Sequence, residues 1–294
     1  MKEKTLIHLN KILKKIIIVI LMSAAPFSVY AEEVNTDYVK TKWSFKGIFG
    51  TFDRASLQRG YQVYQEVCSG CHSVQHLSYR NLSEKGGPEF SIEEAKAIAA
   101  QFEVEDGPNS DGEMFTRPGR LSDNFVKPYP NVAASTAANG GAYPPDMSVL
   151  AKARKGGADY IYSLLLGYEE APAGFELDDG VYYNKYMPGN KIKMSAPLSD
   201  GLVEYSDGTQ ATTTQMAKDV TTFLVWASEP HLEAQHKMGF KAIIYLIILF
   251  TLVYMSKQKV WLRFGSKKEP EEETFDKVEK AVTEYEGEDP KTFK

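Results

Sequence analysis

Apolar positions along this chain gather into three helical stripes and two unbroken runs, separated by long stretches in which polar and small residues dominate. The first stripe is Leu57, Tyr61, Tyr64 and Cys68, at i, i+4, i+7 and i+11 behind Asp53, and it predicts a helix with that aspartate as its N-cap. A second lies between Gly157 and Leu166, where Tyr160, Ile161, Leu164 and Leu165 share a side and Gly167 supplies a stop. A third runs from Ala217 to Ser228, with Val220, Phe223, Leu224 and Ala227 aligned before Pro230. Helices of this kind joined by loop-rich sequence predict a mainly α domain.

The two apolar runs sit at the ends. MKEKTLIHLNKILKK is basic, IIIVILMSAAPF is apolar, and SVYA offers small residues, in the order of a secretory signal with cleavage after Ala31. The apolar part is too short to span a bilayer well, which favours cleavage over an uncleaved anchor. Near the other end, residues 242–256 are uncharged between Lys241 and Lys257, and Gly239 and Phe240 extend them. No face of this run is polar, unlike a soluble core helix, so it reads as a transmembrane anchor over 239–256. Lys257, Lys259, Arg263, Lys267 and Lys268 follow at once, and such a cluster belongs on the cytoplasmic side. The expected organisation is therefore a signal over 1–31, an exported domain over 32–238, the anchor over 239–256 and a charged cytoplasmic tail over 257–294. The expected location is the bacterial inner membrane, single-pass, with the main domain on the periplasmic side.

Charge sharpens the picture. The exported part carries 28 acidic against 19 basic side chains, a net charge of −9, whereas the whole chain is −5. A nucleic-acid face is not expected from that balance. An acidic domain at a membrane suits a basic soluble partner, and equally suits simple solubility. Two acidic groups, Glu103, Glu105, Asp106, Asp111 and Glu113, then Glu169, Glu170, Glu176, Asp178 and Asp179, have the composition of surface loops. The tail has few apolar residues and is expected to be disordered or a short solvated helix.

The only two cysteines stand in VCSGCH, as Cys68 and Cys71 with His72 directly after. A disulfide closing so small a loop stabilises little. A thiol redox pair is expected at the start of a helix after a strand, whereas the stripe before Cys68 places it at a helix end. Zinc needs further soft or imidazole ligands; only His76 is near, since His231 and His236 lie beside the anchor. Covalent haem attachment meets no such objection: both thiols add to the vinyl groups and His72 presents its imidazole to the iron. Gly70 is expected to give the intervening loop its freedom. One motif means one haem c, and the Gly-, Pro- and aromatic-rich sequence from Ala133 to Met238 suits backbone wrapped around a flat cofactor.

A sixth iron ligand would set the role: a methionine sulfur gives an electron carrier, an open position a ligand binder. Met114, Met147, Met187, Met194 and Met216 are all candidates by position, and Met194 stands out in KMSAPL, where proline stiffens the loop. The runs ANGGAYPPDMSVLAKARKGGADYIYSLLLGY, YNKYMPGNKIKMSAPLSDGLVEYSDGTQAT and MAKDVTTFLVWASEPHLEAQHKMGFK resemble the cytochrome c1 family, the haem subunits of the bc1 complex, ubiquinol–cytochrome c reductase. The likeness covers most of residues 40–262. It implies a cytochrome c fold with loop-rich insertions, Cys68 and Cys71 as thioether attachment points, and His72 and Met194 as axial iron ligands. It further implies Arg154 as partner of a haem propionate with Tyr160 nearby, and Pro145 packed on the histidine side. The family often has a second proline in the ligand loop, where this chain has Met194-Ser195-Ala196-Pro197.

The resemblance implies that an electron passes from a Rieske iron–sulfur protein through the haem to a cytochrome c, with cytochrome b holding the anchor. No general acid, base or nucleophile is needed: the chain serves an oxidoreductase complex and is not catalytic alone. A tethered haem sensor with an open sixth position, and a membrane-anchored thiol–disulfide oxidoreductase without haem, are the readings from other classes.

Overall fold

A computed structural model describes residues 37–265 and 277–280. The predicted signal over 1–31 lies outside the described residues, as does most of the tail; residues 277–280 form a helical turn. The fold is mainly helical, with a cytochrome c-like helical core and one long apolar C-terminal helix. In chain order the main helices are α1 (Arg54–Val63), α2 (Ile92–Ala99), α3 (Val132–Ala138), α4 (Leu150–Ala153), α5 (Ala158–Leu166), α6 (Thr213–Ser228) and α7 (Leu232–Gly265).

Asp53 caps α1 as its sequence position predicts, accepting from the Ala55 amide at 3.1 Å. Leu57, Tyr61 and Tyr64 are buried along the predicted stripe. α6 begins four residues before the expected Ala217, because Thr212 caps it through the Gln215 amide. The two helices meet closely at Gly60, where an added Cβ would stand 2.1 Å from the Asp219 carbonyl oxygen. Around that crossing Tyr64 stacks on Phe223 at 5.4 Å and Phe223 contacts Trp226. The fully buried Asp219 is held by Arg59 at 2.8 Å and by Ser56 and Gln215. α5 also packs on α6, with Tyr160 and Ile161 buried as predicted.

The acidic stretch from Glu103 is more ordered than its loop-like composition suggests. Glu103–Asp106 (β1) pairs antiparallel with Phe115–Pro118 (β2), and Arg117 joins Asp106 to Asp123 across the hairpin. The alternation Glu-Val-Glu-Asp hides this strand, since both faces are largely solvated. A second small hairpin pairs Tyr182–Tyr183 (β3) with Lys191–Ile192 (β4).

α7 overruns the expected anchor at both ends. Its 34 residues would extend about 51 Å at the helical rise, well beyond the roughly 30 Å of a bilayer core. Every side chain from Met238 to Arg263 is exposed, which suits lipid and not a protein interior.

Candidate haem site

α1 does not stop where its α-helical bonds end. It continues as one π-helical turn over Tyr64–Cys68, closed by the Ser69 amide on the Tyr64 carbonyl at 2.8 Å. The next bonds both reach back to the Cys68 carbonyl, from the Cys71 amide at 3.1 Å and the His72 amide at 2.9 Å. Cys68, Cys71 and His72 are thus fixed on one tight turn at the end of a buried helix. Gly70 plays a smaller part than expected: its φ is not positive, and no protein atom lies within 4 Å of a Cβ built there.

The following strap, residues 72–76, is zipped to 145–148. The Met147 amide donates to the Ser73 carbonyl at 2.8 Å, and the His76 amide to Ser148 Oγ at 3.1 Å. Asp146 accepts from Ser73 Oγ at 2.7 Å, from the Gln75 amide at 3.1 Å and from the Ser148 amide at 2.9 Å. Burial alone would raise its pKa, but these hydrogen bonds outweigh that and hold the carboxyl below the ordinary aspartate range. The same pairing brings the Pro145 carbonyl to 2.9 Å from His72 Nδ1. A carbonyl oxygen only accepts, so Nδ1 carries the proton and Nε2 is left with its lone pair. Burial holds the imidazole below its ordinary pKa, against the pull of the Pro145 carbonyl and Asp146, which keeps it neutral.

Burial also pushes the Cys68 thiol up to about 12, with Cys71 adding to the shift. That shift disfavours a thiolate at Cys68. Among the described residues no group of three or more His, Cys, Asp and Glu side chains is placed to hold a metal ion, so zinc has no built site there.

The five methionines separate by environment. Met147 and Met216 are buried core, and Met114 is exposed near the β1–β2 hairpin. Met187 faces the Tyr160 hydroxyl, which lies 3.8 Å from its sulfur. Met194 is half-buried in the loop after β4, its carbonyl accepting from Tyr168 Oη at 3.1 Å. Arg154, just past α4, is exposed; its guanidinium donates to the Ala153 carbonyl at 3.4 Å, and among the described residues no carboxylate pairs with it. Tyr160 is buried, and the nearby Arg154 works against the rise in its pKa that burial causes. An open hollow beside Cys71 is bounded by Lys127, Tyr129, Tyr143 and Pro144.

This donor set fits a c-type haem: two thiols on one turn, a neutral imidazole with Nε2 free to ligate, and a guanidinium that no carboxylate pairs with among the described residues. Sequence reasoning missed Asp146 as the clasp of the strap and Tyr168 as the support of the Met194 loop. The Asp146-Met147-Ser148 spacing, a side chain able to bond its own backbone two residues on, is the signal that would have found the first.

Comparison with known proteins agrees. The model of the cytochrome c1 family matches residues 43–264. A cytochrome b/c1 of Bradyrhizobium diazoefficiens is 49% identical over 239 residues, 75% of this chain and 35% of that one, so the chain spans about a third of that relative's length. A mitochondrial cytochrome c1-2 heme protein of Solanum tuberosum is 50% identical over 226 residues, 77% of this chain and 86% of that one. The mitochondrial cytochrome c1 heme protein of Schizosaccharomyces pombe is 48% identical over 237 residues, covering 81% and 76%. With three quarters of its length matched at that level, and with the cysteine turn, the imidazole and the terminal apolar helix in place, the chain belongs to the cytochrome c1 family.

Proposed function

We propose that this chain is the haem-bearing electron-transfer subunit of a quinol–cytochrome c reductase, receiving an electron from a Rieske iron–sulfur protein and delivering it to a cytochrome c. The observation that carries the reading is the hydrogen bond from His72 Nδ1 to the Pro145 carbonyl. It fixes the ring's tautomer and orientation and leaves Nε2 as a basic ligand, the usual role of such an outer partner.

In this reading Cys68 and Cys71 would hold one haem c through thioethers, His72 and Met194 would ligate its iron, and Arg154 would neutralise a propionate beside Tyr160. When bound, that haem supplies one reversible electron. The chain's own contribution is placement. The π turn fixes the thiols, the Asp146 clasp fixes His72, and the Tyr168 hydroxyl fixes the backbone of Met194. The half-buried environment of Cys68, which raises its thiol pKa, suits an uncharged thioether better than a thiolate.

The relatives' names support the assembly: one couples cytochrome b with c1, and another, in Candida albicans, is a subunit of the cytochrome b-c1 complex. Cytochrome b is accordingly the partner proposed for α7. The basic residues after 256 support a reading in which the main domain lies on the periplasmic side of a bacterial membrane and residues 1–31 are removed. Its net charge of −9 favours a lysine-rich carrier and makes the encounter weaken with salt.

The test is a reduced-minus-oxidised optical spectrum of the membrane-bound protein, repeated under carbon monoxide. A sharp low-spin c-type band that carbon monoxide does not move is expected. A band that shifts would mean an open sixth position and would replace electron transfer with ligand binding.

A further inference from the structure

The segment before α1 descends along the anchor helix in three steps. The Phe52 amide donates to Glu233 Oε1 at 2.8 Å, and Arg54 grips both Glu233 oxygens at 2.8 and 2.9 Å. One turn further, His236 Nδ1 lies 3.0 Å from the Gly50 carbonyl. Lower still, Phe49 meets Phe240 edge-on with ring centroids 5.9 Å apart. Glu233 to Phe240 spans about 10 Å along the helix, and Phe240 stands at the start of the apolar run. The tip of this segment therefore reaches the level where the bilayer begins.

Its chemistry fits that level. The tip is Gly47-Ile48-Phe49-Gly50, with no charge; Ile48 is 68% and Phe49 77% exposed, as bare as Phe250 in mid-anchor at 69%. The preceding Lys46 turns back to Asp159 at 3.0 Å. The tip is stiff. The Gly50 amide closes a turn on the Gly47 carbonyl at 3.1 Å, with Gly47 at φ 94°, and Thr51 bonds Ser44 across the stem. Beneath it Trp43 stacks on Phe45 and Phe45 packs at a tilt on Phe52. A rigid loop that exposes two large apolar side chains beside a membrane anchor pays a hydration cost in water that lipid would remove.

We infer that the 47–50 loop is a second membrane contact, a wedge that seats Ile48 and Phe49 in the interfacial layer of the bilayer on the side of the main domain. The occupant of this surface is lipid. With the Glu233 and His236 contacts above it, the wedge fixes how the domain is tilted over the membrane. The inference rests on α7 crossing the bilayer and is independent of the haem ligands.

Site-directed spin labelling of the haem-loaded complex in phosphatidylcholine vesicles tests it, with single labels at Phe49→Cys, Phe250→Cys and Ser44→Cys. Accessibility to oxygen, which concentrates in lipid, is compared with that to a water-soluble nickel chelate. The expected result is an oxygen-to-nickel ratio at 49 several-fold above that at 44 and approaching that at 250. A nickel-accessible label at 49 with an oxygen-rich label at 250 would overturn the wedge while leaving the anchor intact. A label at 49 shielded from both reagents would mean that a protein subunit covers the loop, which also overturns it. A nickel-accessible label at 250 would remove the anchor, and the wedge with it.

Discussion

His72 and Pro145 lie 73 residues apart in the chain, yet the imidazole Nδ1 and the proline carbonyl stand 2.9 Å from each other. Neither residue makes that contact by itself. The strap on which His72 rides is drawn to the Pro145 segment by Asp146, whose carboxylate gathers a hydroxyl and two amides. Asp146→Ala would leave those donors without their acceptor, at a cost on the order of 2 kcal/mol. A denaturant titration followed by the haem band is expected to show that loss, with Asp146→Asn in between. An unchanged midpoint in the alanine variant would mean that the clasp does not hold the strap.

The crossing of α1 and α6 depends on a residue without a side chain. At Gly60 a Cβ would fall 2.1 Å from the Asp219 carbonyl and 2.8 Å from Phe223 Cβ, and backbone cannot step aside as a flexible side chain would. Gly60→Ala is expected to destabilise by about 3 kcal/mol, the upper end for overpacking, and to lower haem incorporation in parallel. Gly70→Ala, with nothing near its Cβ in the protein, serves as the comparison and is expected to fold normally.

These two glycines show where sequence reading succeeds and where it stops. The stripe through Leu57, Tyr61 and Tyr64 announces α1 because burial selects one helix face, and Asp53 announces its start because an exposed amide needs an acceptor. Both are local rules. Gly60 and Asp219, by contrast, are 159 residues apart, and nothing in LQRGYQV tells that a second helix will press on that glycine. The cysteine–histidine turn was legible for the same local reason, while the carbonyl that orients His72 became visible only when two distant segments met. Gly70 drew attention through its motif and matters less to the turn than Gly60 does to the core.

Met194 is proposed to complete the iron's coordination, and its loop, Met194-Ser195-Ala196-Pro197, carries one stiffening proline. Tyr168, donating to the Met194 carbonyl at 3.1 Å, supplies a different restraint. Met194→Leu is expected to leave the covalent haem attached but to let carbon monoxide shift the reduced band, with a marked fall in reduction potential. Tyr168→Phe is expected to give a partial version of the same response, a slow or incomplete shift. If Met194→Leu binds no carbon monoxide, another group holds the sixth position, and Met187 is the next to vary.

Asp159 gives the clearest dependence on pH. It is 6% exposed at the head of α5, where it accepts from the Trp43 indole at 2.6 Å and from Lys46 at 3.0 Å, and so ties the segment leading to the membrane wedge onto the domain. Burial by itself would raise its pKa; the two donors more than offset that and hold it below the ordinary value of 3.8. Because the folded value is the lower one, the unfolded chain binds the proton first as pH falls. The stabilisation is therefore complete above 3.8 and drains away as pH drops from there toward the folded value. Asp159→Asn keeps an acceptor for the indole but loses the charge, so it should be less stable than the parent at neutral pH, and the gap should close below 3.8. Urea midpoints of both proteins, measured by circular dichroism down through that range, would show the two curves converging. A gap that stays constant would assign the difference to packing, and the carboxylate's charge would then have no part in holding the segment down.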